Sequence, residues 1–385
     1  MRTFRFPYTS VSVAISSLVV AAVLGGCASH ASRTDDREPD ETAEVDPLLS
    51  ATNVAHAVLK EAFVTPLTPR DNVDSPALWM GRDGQALLLA TGKKSGHLVA
   101  YDGDTGAALG TRGRKGVGAG ELDRPNGIFV QGDLVFVVER DNHRVQVLRL
   151  PGFESVGMFG AGELKKPYGL WLRETTANHY DVLVTDAYMD GEDAQGNEIV
   201  PPLATLNARI KRYAVKVEGN TLTATLSGLV GDTTVAGAIR VPESVWGDPA
   251  HDRLLIAEED LPTGTAVREY TLDGSFAGRT IGQDLFKAQA EGIALWQCAD
   301  GSGYWITTDQ YKDRSLFHVW DRITLAHIGA FAGETVGNTD GVWLHQGATR
   351  RFPNGVFYAV HDDMGVGAFD WRDVAKAIGV RVSCD

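Results

Sequence analysis

From residue 71 to the C-terminus, apolar and polar residues alternate in short runs broken by Gly, Asn and Asp, the period of half-buried β-strands. Helical spacing is confined to 370–379. The runs recur in a fixed order. Each unit opens on a small residue, an aliphatic and an aromatic: Ala77-Leu78-Trp79, Gly127-Ile128-Phe129, Gly169-Leu170-Trp171, Ser244-Val245-Trp246 and Gly341-Val342-Trp343, with Gly292-Ile293-Ala294 as the variant copy. A second, more apolar run ends in a polar cluster, as in "LVFVVERDNH" and "RLLIAEEDLP". A third returns with alternating character, as in "RVQVLRLPGF" and "AVREYTLDGS". Units recur about every 50 residues, and the one long interval holds a polar insertion, 187–207. Three or four strands per unit at this period predict an all-β chain folded as a six-bladed β-propeller. The aromatics are expected to pack against the neighbouring blade, and the small residues before them to let the innermost strands crowd around the axis.

The residue in front of the small one changes from copy to copy. Pro76, Asn126, Tyr168, Glu243, Glu291 and Asp340 stand there, with Asp74 just upstream in the first unit. If the units are blades, these side chains ring one mouth of the central channel. The second runs also end in polar groups: Lys93, Arg140, Asp186, Glu258 with Glu259, Gln310, and Asp362. A packed core has no use for carboxylates at equivalent places. Gathered like charges repel, and each raises its neighbours' pKa unless a cation intervenes. Carboxylates, an amide and a phenol are hard oxygen donors of the kind Ca²⁺ takes. Zinc is disfavoured, because the sequence has no His-Glu-x-x-His and no finger-spaced Cys pair.

Composition adds compartment and partners. A chain of 385 residues, 43% hydrophobic, is long enough for one large all-β domain. Its net charge of −14 argues against nucleic acid and leaves an anionic ligand dependent on metal ions for attraction. Arg2 and Arg5 precede an apolar run that ends at Leu24-Gly25-Gly26-Cys27, which resembles a bacterial lipobox. The expected organisation is a lipoprotein signal peptide over 1–26, lipidated Cys27 with a disordered acidic tether over 27–55, and the propeller over 56–385. Ala28 after the Cys favours the outer membrane, met only through the lipid anchor, and a monomer is expected. Cys298 and Cys384 are left in an oxidising compartment, where the sequence leaves open whether they are bonded.

Taken in order, the motifs resemble those of the β-propeller phytases, the calcium-dependent alkaline phytases of bacteria. Asp74-Ser75-Pro76-Ala77-Leu78-Trp79 resembles the family's Asp-Asp-Pro-Ala-Ile-Trp, and Thr91-Gly92-Lys93-Lys94-Ser95-Gly96 its Thr-Asn-Lys-Lys-Ser-Gly. Tyr168-Gly169, Ala257-Glu258-Glu259-Asp260, Glu291-Gly292-Ile293, Gln310, Thr339-Asp340-Gly341-Val342 and the closing Trp371-to-Gly379 segment continue the series over about residues 70 to 380. The resemblance implies calcium ligation by Asp74, Tyr168, Glu243, Glu259, Glu291, Gln310 and Asp340, with Lys93 and Arg140 holding substrate phosphates and Glu291 taking part in catalysis. It implies hydrolysis of phytate or a related phosphate ester. Ser75, Gln289 and Gly127 stand where the family carries acidic residues, and the family's Lys near Asp186-Ala187 is missing.

Residues 118–171 resemble NHL repeats through Pro125-Asn126-Gly127-Ile128 and Asn142-His143-Arg144-Val145-Gln146-Val147. That likeness implies the same fold, a ligand- or protein-binding role, or lactonase chemistry, with Arg140 and Arg144 as structural residues. The sequence carries no Gly-x-Ser-x-Gly elbow, Walker loop or Arg-His-Gly motif.

Overall fold

A computed structural model describes residues 47–384, apart from 195 and 197. The signal peptide, Cys27 and most of the tether lie outside the described residues. The described chain is a six-bladed β-propeller, as the repeat predicts. The innermost strands are Val73–Met80, Pro125–Gln131, Pro167–Thr176, Pro242–Asp248, Ala290–Gln297 and Val342–His345, which define blades 1 to 6. Each blade runs outward through antiparallel neighbours. The circle closes where the Gly341 N–H of blade 6 donates to the Asp74 carbonyl of blade 1 at 3.0 Å.

The N-terminal segment completes the last two blades. Phe63–Val64 pairs antiparallel with Gly365–Asp370 as the outer strand of blade 6. Ala57–Leu59 pairs parallel with His327–Gly333 at the edge of blade 5. Ordered packing starts before the expected tether boundary at 55: Leu49 is buried in a cluster with Tyr311 and Leu316, and its N–H donates to Asp313. The Cys298–Cys384 disulfide is formed and ties the C-terminus to blade 5. The one α-helix among the described residues, Trp371–Ile378, sits where helical spacing appears in the sequence, capped by Asp370 and ended by Gly379.

The small residues do what crowding at the axis requires. A Cβ on Gly169 would lie 2.6 Å from the Glu243 carbonyl of the next blade, so only glycine fits that approach. The aromatics divide into two sets, a finer result than uniform packing between neighbours. Phe129, Trp246 and Trp343, from alternate blades, meet one another at ring-centroid distances of 5.1 to 5.9 Å. Tilted and edge-on contacts are the favourable geometry for aromatic pairs. The trio lines one narrow channel together with Ser75, Gly127, Gly169, Ser244 and Gly341 of the inner strands. Trp171 instead lies against Gly247 of the neighbouring blade, and Trp79 donates its indole N–H to Asp133 of blade 2.

The register in blade 1 corrects the sequence alignment. Gly92, Glu139, Asp186, Glu258 and Asp309 pair with Val73, Pro125, Pro167, Pro242 and Ala290. Asp74, not Pro76, is therefore the blade 1 counterpart of Asn126, Tyr168, Glu243 and Glu291. Ala77 takes the place of Phe129 and Trp171, while Trp79 lies two residues further along.

Candidate metal-binding mouth

A β-bulge follows the first residue of the inner strand in blades 1, 3, 4 and 5, and an equivalent irregularity falls opposite it in blade 2. A bulge adds a residue that re-aims a side chain. The inner ring placed this way is Asp74, Asn126, Tyr168, Glu243, Glu291 and Asp340. Asp74, Asn126, Tyr168, Glu243 and Glu291 are buried, at 0 to 6% exposure, and the Asp340 side chain is 13% exposed.

The ends of the second strands split into two registers that the sequence had run together. Glu139, Asp186, Glu258 and Asp309 are wholly buried and accept backbone N–H groups of the loop entering their own blade. Arg240 N, for example, donates to Glu258 at 2.6 Å, and Ala288 N to Asp309 at 2.8 Å. Polar groups on the third strand reach the same carboxylates, as Gln146 reaches Glu139 and Lys211 reaches Asp186. Asp186 and Glu258 are thus structural clamps rather than mouth residues. Arg144 belongs to this framework too, bonded to Glu139 and to the carbonyls of Val117 and Glu121. The next residue in each blade forms the outer ring: Lys93, Arg140, Ala187, Glu259, Gln310 and Asp362.

Chemistry is unevenly distributed around these rings. Glu243, Glu259 and Glu291 each offer a carboxylate oxygen, all within 4.8 Å of one another, and all three are buried. Burial pushes the Glu291 carboxyl well above the usual carboxylate range, and the charges of Glu243, Glu259 and Asp340 add to the rise. Gln289 donates its amide to Glu259 at 3.3 Å, and Gln310 donates to Asp340. On the opposite arc the Lys93 ammonium lies 3.1 Å from Asp74 and 3.7 Å from Asp340, and 6.0 Å from the centre of the Tyr168 ring. Ser75 donates its hydroxyl to Asp74 at 2.8 Å. Asn126 is wholly buried, and neither atom of its amide has a hydrogen-bond partner among the described residues.

The residues expected at the site therefore share one mouth but form two groups. Glu243, Glu259 and Glu291 make a triad suited to a cation. Asp74, Asp340 and Gln310 gather on the Lys93 side, Tyr168 stands across from Lys93, and Arg140, 9% exposed, occupies blade 2 of the outer ring. Asn126, which the repeat places in the ring though the phytase likeness implies no role for it, is buried at the inner-ring position of blade 2. The chemistry of the donors suits a calcium ion at the triad, since three carboxylates can supply up to six hard oxygens and a cation there would relieve their repulsion.

No protein-family model matches the chain, and no curated protein matches it. Among solved structures it is similar to a chain of Kuenenia stuttgartiensis hydrazine synthase, at 12% identity over 78% of this chain and 75% of that one, with a TM-score of 0.44. It is also similar to a chain of the nidogen/laminin complex, at 13% identity over 72% of this chain and 86% of that one, with a TM-score of 0.42.

Proposed function

We propose that the chain is a calcium-dependent phosphoester hydrolase, similar in the layout of its mouth to the β-propeller phytases. The observation that carries the reading is the buried triad Glu243, Glu259 and Glu291, three carboxylates from two adjacent blades within 4.8 Å. Buried carboxylates without a cation cost stability, and burial together with the neighbouring charges pushes the Glu291 carboxyl well above the usual carboxylate range. Calcium would be held by these three residues. When bound, it offsets the charge of a phosphate and acidifies a water beside it.

The chain's own residues supply the rest. Arg140, in the outer ring, presents a planar guanidinium that pairs with phosphate oxygens and orients the ester over the mouth. Lys93 offsets part of the charge of Asp74 and Asp340, which lessens their repulsion of an incoming anion. The aromatic trio of Phe129, Trp246 and Trp343 narrows the axis and limits solvent there, which strengthens the charge interactions at the mouth. The test is phosphate release from phytate and from simple monophosphates, with calcium and with chelator. Calcium-dependent release supports the reading, and none from any ester refutes it.

The NHL-like segment favours a second reading, a ligand-binding propeller without catalysis. Arg144 there is a framework residue bonded to Glu139, as that likeness implies. Calcium binding without turnover would select this reading. On location, we propose a lipoprotein of the bacterial outer membrane, anchored through Cys27. The Cys298–Cys384 bond supports export, since disulfides persist outside the reducing cytoplasm.

A further inference from the structure

We propose that Lys93 is a fixed internal cation, that the mouth holds a single divalent ion, and that the substrate carries one phosphate group rather than several. The substrate class rests on the hydrolase reading above; the cation count does not.

Four successive blades place an acid at the inner-ring position, Glu243, Glu291, Asp340 and Asp74, and the arc divides in two. On one half, Glu243 and Glu291 converge with Glu259 of the outer ring. On the other, Lys93 lies between Asp74 and Asp340, at 3.1 and 3.7 Å. Lys93 is 5% exposed and Asp74 1%. A buried ammonium must be paired to be tolerated, and Lys93 is held between two carboxylates, so it is part of the framework. A divalent ion between Asp74 and Asp340 would have to stand within a few ångströms of it, where like-charge repulsion is large. That half of the mouth is already filled.

The triad is then the one place left on the arc for a free cation. The charge balance follows. Six carboxylates, counting Asp363 beside Asp340, face the ammoniums of Lys93 and Lys312 and one divalent ion, so the centre stays negative after the ion binds. Arg140 adds one positive charge in the outer ring, a single point at which one phosphate can pair. Each further phosphate on a substrate would bring repulsion with no second metal to offset it.

Calorimetric titration of the full chain with calcium chloride, without substrate, tests the count. One ion is expected for the wild type and two for Lys93→Met, which keeps the stem and removes the charge. Glu291→Gln should bind none. The double variant Lys93→Met/Asp74→Asn should return to one, and it keeps the test open if Lys93→Met alone folds poorly. Two or more ions in the wild type, none at all, or no gain in Lys93→Met would overturn the assignment. For the substrate, phosphate release from glycerol 2-phosphate and from phytate is compared at saturating calcium. A kcat/KM at least about tenfold higher for the monophosphate is expected. Equal or faster release from phytate overturns the substrate class. No release from either overturns the hydrolase reading with it, and the cation count then stands or falls on calorimetry alone.

Discussion

Glu243 and Glu291, the inner-ring residues of adjacent blades, present buried carboxylate oxygens within 4.8 Å of each other. Two such groups cannot both carry charge cheaply: burial first, and then the charges of Glu243, Glu259 and Asp340, push the Glu291 carboxyl well above the usual carboxylate range. A ligand that binds only the folded chain stabilises it by mass action, by about 2.7 kcal/mol at a hundredfold excess over Kd. Calcium should therefore raise the melting temperature by several degrees, and Glu291→Gln should remove most of that rise. Differential scanning calorimetry with calcium and with chelator checks it. Equal melting curves in both conditions would defeat the metal assignment.

Arg140 separates binding from turnover. It stands in the outer ring of blade 2, away from the triad of blades 4 and 5. Arg140→Ala should lower kcat/KM for phosphate release by about a hundredfold, as expected when a charge-stabilising donor is lost. The calcium-induced rise in melting temperature should persist. Loss of both together would assign Arg140 to the framework, beside Arg144.

How much of this was legible in the sequence depends on what a period of two can record. The fold was, because six copies of one strand order repeat at an even spacing. The blade 1 register was not. A shift of two residues keeps every side chain on its own face. Trp79 could thus stand in for Ala77 without disturbing the alternation, and Pro76 could displace Asp74 from the ring. The split between Glu258 and Glu259 was hidden for a related reason: adjacent acids look alike in sequence, yet one is a wholly buried clamp on the Arg240 and Val241 amides and the other joins the triad. The meeting of Phe129, Trp246 and Trp343 from alternate blades needs the closed circle, which no local pattern states.

That aromatic contact should carry substantial stability. Phe129 is 7% exposed and touches both Trp246 and Trp343, at 5.4 and 5.1 Å between centroids. Phe129→Ala leaves a cavity at the junction of three blades and should cost about 3–5 kcal/mol. Urea denaturation checks it, and Phe129→Leu should recover a good part of the loss. A cost below about 1 kcal/mol would mean that the axis is not packed as described.

Anchoring is tested independently of the mouth. Cys27→Ser should move the protein from the membrane fraction to the soluble one and abolish labelled palmitate incorporation. Unchanged fractionation would refute the lipid anchor while leaving the propeller untouched.

The last prediction concerns pH and lies in the outer strands of blade 5. His327 and His318 face each other across neighbouring strands with ring nitrogens 3.1 Å apart, and Asp309 lies 3.8 Å beyond His318. Burial, with a smaller contribution from His318, pushes His327 down to about 4, against an ordinary 6.5. The folded chain therefore holds fewer protons on this group than the unfolded chain between those two values. Stability attributable to it is complete above about pH 6.5 and is lost as the pH falls toward 4. His327→Gln, which cannot take a proton, should flatten the melting temperature between pH 6.5 and pH 4 relative to the wild type. Unchanged slopes over that interval would show that the histidine pair does not govern acid sensitivity, and the cause would then lie among the buried carboxyls raised into that range, Glu291 among them.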